Sequence, residues 1–110
     1  MARHHFGLLP NPPGSERYKS FEPEKYGCIA VDDAYIEPLL PEFDGIPCFW
    51  HTCQVPGNNL AYCGITLIPP ESVPRFAEVF RRHDSSRYQA LLSLLTQAAK
   101  EGKYIIHYGI

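Results

Sequence analysis

The residues best suited to chemistry cluster in one stretch, Ile46 to Pro70, which carries the only tryptophan, three of the four cysteines and a histidine. Cys48, His51 and Cys53, followed by Cys63, are residue types that bind zinc as thiolate and imidazole ligands. Their spacing opposes it. Side chains on a regular strand alternate between faces, so Cys48 points away from His51 and Cys53, and there is no C-x-x-C pair to grip a tetrahedral ion. A thiol beside an imidazole is also the pairing of a nucleophile with its base, which brings in Cys53 or Cys63 with His51 or His107. Asp32 and Asp33, with Glu37, could supply paired carboxylates, although aspartates at the end of a strand equally cap the turn that follows. The catalytic candidates are therefore His51, Cys53, His107 and Asp32. No glycine-rich phosphate loop, nucleophile elbow or dinucleotide fingerprint accompanies them. No metal or cofactor is expected, and the reading leans away from an enzyme.

Composition bounds the frame that must position these residues. A chain of 110 residues, 45% hydrophobic and 13% aromatic, has material for one core and one domain. Its net charge is -2, and Arg81-Arg82-His83 is its longest basic run. A phosphate-tracking face needs more than that, so nucleic acid is not an expected partner. No segment reaches the roughly 20 apolar residues of a membrane span, and Met1 to Pro10 lacks the apolar region of a signal peptide. The expected location is the cytoplasm, where cysteines remain thiols.

The elements follow from patterning. Residues 1–25 are rich in proline and charge and read as an extended arm, with His4-His5 in a solvated terminus and Phe6, Leu8, Leu9, Tyr18 and Phe21 in need of cover. Residues 26–110 read as one α+β domain. Tyr26 to Val31 is a buried strand. Ala34 to Phe43 has helical spacing interrupted by Pro38 and Pro41, so it predicts a short or broken helix.

Ile46 to Pro70 predicts a hairpin around Pro56-Gly57-Asn58-Asn59. In the preferred register Trp50 lies opposite Ile65 and Cys48 opposite Leu67. The alternative, shifted by one residue, pairs Cys53 with Cys63 and turns His51 towards the core, at the cost of burying an imidazole. Val73, Phe76, Ala77 and Phe80 form the stripe of one helix. Tyr88, Leu91, Leu92, Leu95 and Ala99 form that of a second, capped by Asp84, Ser85 and Ser86 and ended by Gly102. Lys103 to Ile110 predicts a last strand, on which His107 stands.

That order is βαββαβ, which predicts a ferredoxin-like, four-stranded antiparallel sheet with helices on one face and the strands at Tyr26 and Tyr62 in its centre. The other face would carry Phe49, His51, Tyr62 and Thr66, too apolar to stay bare. The expected function is accordingly that of a small binding domain. Its contact is that face, covered by a second copy of the chain or another protein, unless the arm folds over it. The alternative is a small enzyme or ligand-binding protein with His51, Cys53, His107 and Asp32 in a cleft there.

Overall fold

Arg3–Leu8 forms a strand, β1, in the computed structural model, which describes residues 2–83 and 85–110. The further strands are β2 (Ile29–Asp32), β3 (Cys48–Trp50), β4 (Pro56–Gly57), β5 (Ile65–Ile68) and β6 (Ile105–Tyr108), and the α-helices are α1 (Leu40–Phe43), α2 (Val73–Arg81) and α3 (Gln89–Glu101). All six strands pair antiparallel in one sheet of order β2-β1-β6-β5-β3-β4. The expected four-stranded ferredoxin-like sheet is therefore corrected. Residues expected in a solvated arm supply an interior strand, β1, and the strand expected at the centre, β2, lies at an edge. The physical reason is local. Arg3 to Leu8 precedes the first proline at Pro10, so every residue can join a ladder, and His4, Phe6 and Leu8 alternate towards the helices while His5, Gly7 and Leu9 face the other way.

The helices form where periodicity demands. Pro74 occupies the first turn of α2, where its missing N–H costs nothing. Val73, Phe76, Ala77 and Phe80 are all buried. Gly102 ends α3 at φ 65°, in the left-handed region that glycine adopts without strain. Leu91, Leu95 and Ala98 make the buried side of α3, so Ala98 takes the place expected of Ala99. The expected cap of this helix includes Asp84, which lies outside the described residues. Between Asp33 and Phe43 the helix is broken, as expected, into the short turns Asp33–Tyr35 and Glu37–Leu39 and the four-residue α1, with Pro38 and Pro41 each in the first turn of its piece. Among the described residues no helix is long and apolar enough to cross a membrane.

Two apolar clusters sandwich the sheet. On the helix side Phe6, Val31, Ile68 and Ile105 pack against Ile36, Phe43, Phe76, Phe80, Leu91 and Leu95. On the other side Leu9, Ile65, Leu67, Ile106 and Tyr108 are covered by Tyr18, Tyr26, Cys28, Phe49 and Tyr104. The second sheet face is thus closed by the chain itself, through the segment between β1 and β2. Gly7 allows this close approach: a Cβ there would stand 2.5 Å from Cys28 Sγ.

The hairpin differs from expectation in its register. Phe49 pairs with Leu67 and Trp50 with Thr66, which is the shifted alternative. Cys53 and Cys63 nevertheless do not pair, because β3 ends at Trp50 and the chain folds back to lay Pro56–Gly57 on the outer edge of β3. Asn59 anchors this excursion: its carbonyl accepts from the Cys48 thiol and the Trp50 indole, both at 2.9 Å, and its side-chain amide donates to the Leu40 carbonyl.

Candidate functional site

The register places Thr66 on the helix side of β5, directly across from His107 on β6, and from there a hydrogen-bond string runs through the sheet. Thr66 Oγ1 lies 3.1 Å from His107 Nδ1, His107 Nε2 lies 2.9 Å from His4 Nδ1, and His4 Nε2 lies 2.8 Å from Asp33 Oδ1. The Tyr62 hydroxyl donates to the other Asp33 oxygen at 2.7 Å, and the Ala61 N–H donates to Thr66 Oγ1 at 2.8 Å. His4, Thr66 and His107 are fully buried, whereas the Asp33 side chain is 22% exposed. The two rings are 15° from parallel with centroids 5.1 Å apart. Given the N···N distance, that describes two rings joined edge to edge rather than stacked.

Only one assignment of protons satisfies every group with both imidazoles neutral. The Asp33 carboxylate accepts, so His4 carries its proton on Nε2 and accepts at Nδ1. His107 then donates from Nε2 and accepts at Nδ1 from the Thr66 hydroxyl. The Ala61 N–H occupies one of the two acceptor sites on that oxygen. Burial, with the neighbouring His4 and His5, holds the His107 imidazole well below its usual range. Hydrogen bonds from His4 and then Tyr62 hold the Asp33 carboxyl low, and the same Asp33 contact pushes the Tyr62 phenol up to about 12.

The residues expected to share one site divide among four places. His107 and Thr66 are sealed in the string, and Tyr62 meets its surface end at Asp33. Asp32 caps the following turn, accepting from the Ala34 N–H at 3.4 Å. Phe49 is partly buried in the cluster on the far side of the sheet. Cys53 is half-buried there too; desolvation raises its thiol against a hydrogen bond to Tyr104.

His51 leaves the strand at φ 67°, the one non-glycine residue with positive φ among those described. Its Nδ1–H donates to the Tyr18 carbonyl at 3.0 Å, which leaves Nε2 as an acceptor above Gly64. A Cβ on Gly64 would come within 2.9 Å of that nitrogen.

His51 lines a cleft of about 180 Å³ with Lys19, Phe21, Cys63, Ile65 and Tyr108. Phe21 stands at its edge, 61% exposed, with its ring edge-on to His5 at 5.0 Å and to Tyr108 at 5.3 Å. Burial pushes the Cys28 and Cys48 thiols up to about 11, while Cys63 is exposed. Among the described residues no group of three or more His, Cys, Asp or Glu side chains is arranged to hold a metal ion.

His4 and Phe21 are the residues that sequence reasoning placed in an arm. The available signal for His4 was its alternation with Phe6 and Leu8, a strand period that ends just before Pro10. Asp33 was visible only as one of several carboxylates. Comparison of the chain with protein-family models, with curated proteins and with solved structures finds no match.

Proposed function

We propose that the protein acts by binding, as a small interaction domain, and that a second copy of the chain docks on the side of the sheet covered by residues 9–28. The observation that carries this reading is Phe21, the most exposed large hydrophobic side chain described, standing beside a recess floored by Ile65 and Tyr108. A protruding aromatic next to an apolar recess on one surface is self-complementary, as a two-fold contact requires. Ile110, 42% exposed, follows Gly109 at the rim and extends the apolar patch. Sedimentation equilibrium tests it. The expected result is a concentration-dependent dimer that Phe21→Ser abolishes without changing the circular dichroism spectrum. A monomer at several hundred micromolar overturns the reading.

One observation favours a second reading, that of a small ligand or thiol-chemistry site. The same cleft holds an exposed thiol, Cys63, and an imidazole acceptor, His51 Nε2. His107 and Asp32 take no part in it, being sealed inside and engaged in a cap. Alkylation of Cys63 that slows markedly in His51→Ala supports this reading, and alkylation indifferent to that substitution removes it.

A further inference from the structure

His51 is fixed by its neighbours in a way that leaves one lone pair unused. Its backbone N–H donates to the Ile65 carbonyl at 2.9 Å, its carbonyl accepts from the Tyr18 N–H at 2.8 Å, and its Nδ1–H donates to the Tyr18 carbonyl at 3.0 Å. These bonds hold it at φ 67°, a left-handed conformation that costs a non-glycine residue free energy and persists where the surroundings enforce it. Nε2 is then an acceptor without a partner. Among the described residues the buried side-chain atoms lacking a hydrogen bond are His5 Nδ1 and Thr52 Oγ1, so Nε2 is open to what enters the cleft.

We propose that this cleft binds a single-ring aromatic acid that carries a hydroxyl donor, with the ring on Ile65 and Tyr108 beside Phe21, the hydroxyl on His51 Nε2 and the acid group on Lys19. The proposal rests on the ligand reading of the cleft and names the class of ligand.

Each part of that ligand answers a different wall. The cleft's volume of about 180 Å³ is close to that of an apolar cavity that admits benzene, about 150 Å³, so it has room for one ring. Ile65 and Phe21 are apolar, and the Tyr108 hydroxyl is held by the Glu22 backbone, which leaves the rest of its ring as apolar surface. The lone pair of His51 calls for a donor, and Gly64 keeps it accessible, since a Cβ there would come within 2.9 Å of Nε2.

Lys19 supplies the charge. It is the only lysine, arginine or carboxylate lining the cleft, and among the described residues it pairs with no carboxylate. It also lines the adjoining cleft, where Arg17 and Lys25 stand with Glu16 and Glu22, so an anion is favoured at this end. A second copy of the chain brings only a phenyl ring to the same floor, with no donor for Nε2 and no anion for Lys19. The acid therefore competes with it.

Amide ¹H–¹⁵N spectra of the full chain, dilute enough to be monomeric and in mildly alkaline buffer, test the site by titration with meta- and para-hydroxybenzoate. The expected result is saturable shifts confined to residues 19–21, 51, 63–65 and 108–109, with a dissociation constant on the order of 1 mM. Benzoate, which lacks the donor, and para-hydroxybenzyl alcohol, which lacks the charge, should each bind about ten-fold more weakly. His51→Asn keeps a residue that tolerates the left-handed backbone. It should lower hydroxybenzoate binding to the level of benzoate and leave benzoate unchanged. Should that variant fail to fold, the ligand series on the natural protein decides alone. No saturable shift by about 10 mM, shifts away from the cleft, or equal binding of benzoate and both hydroxybenzoates overturns the proposal. Failure of the acids to bind, with Cys63 alkylation still dependent on His51, removes this ligand class and leaves the reading of the cleft standing.

Discussion

His107 Nε2 donates to His4 Nδ1 across 2.9 Å, joining two residues 103 positions apart in the chain inside a sheet where neither ring touches solvent. The donor of each ring is used by its neighbour towards Asp33, and the acceptor of each is filled from the direction of Thr66. A buried polar network of this kind is stabilising only when complete, which makes each member testable separately.

Thr66→Val removes the hydroxyl that fills His107 Nδ1 and the acceptor for the Ala61 N–H, while nearly preserving shape. Two buried polar groups are orphaned. We expect a loss of about 1–3 kcal/mol in urea denaturation, with Thr66→Ser recovering much of it. A loss below about 0.5 kcal/mol would place Thr66 with ordinary surface positions and break the account of the string.

Stability should fall on the acid side in two stages. The unfolded chain binds a proton at His107 near its ordinary 6.5, whereas the folded imidazole is held well below that value by burial. Its contribution is therefore complete above 6.5 and declines as pH drops towards the folded value, by about 1.4 kcal/mol per pH unit. Asp33 is shifted down from 3.8 by its hydrogen bonds to His4 and Tyr62. Its contribution is present above 3.8 and disappears as pH falls through the depressed value. Denaturant midpoints recorded against pH should show both declines, and His107→Gln should flatten only the upper one.

Thiol labelling at neutral pH should be ordered. Cys63 is exposed and should react first with a disulfide reagent, Cys53 more slowly, and Cys28 and Cys48, whose thiols burial raises to about 11, only on unfolding. Mass spectrometry of the singly labelled protein identifies the site. Early modification of Cys28 would show that the cover over Gly7 is not formed in solution.

Gly109→Ala should be severely destabilising, because its Cβ would lie 2.1 Å from the Tyr62 carbonyl oxygen, and backbone cannot move aside as a side chain can. The neighbouring bonds from Gly109 N to the Gly64 carbonyl and from Ile110 N to the Tyr62 carbonyl would be lost with it. We expect a cost of at least about 2 kcal/mol by thermal or urea unfolding. Gly14→Ala, which meets only the mobile Glu16 carboxylate, is the control and should be near neutral.

Periodicity alone determined α2, α3 and their buried stripes, the broken segment from Ala34 to Phe43 and the last strand, because an amphipathic helix writes its buried face at spacings of three and four; it assigned Ile65 and Leu67 to the helix side of the sheet, whereas they belong to the opposite cluster. The same local logic found β2, β3 and β5 approximately. It could not find β1 or the candidate site. A strand that buries histidine looks polar until its partners are known, and Asp33, His107 and Thr66 arrive from 29, 103 and 62 positions along the chain, the last by way of His107. Register was likewise beyond reach of a local rule. Reluctance of an imidazole to be buried selects the wrong alignment here, because the observed register does not bury His51 in the sheet: the chain leaves the strand at that residue, at φ 67°. The alternation of a strand specifies two faces but not which of them a one-residue slip assigns to the core. Only the completed sheet, with β1 inserted between β2 and β6, decided which polar side chains meet inside it and which surface is left to Phe21.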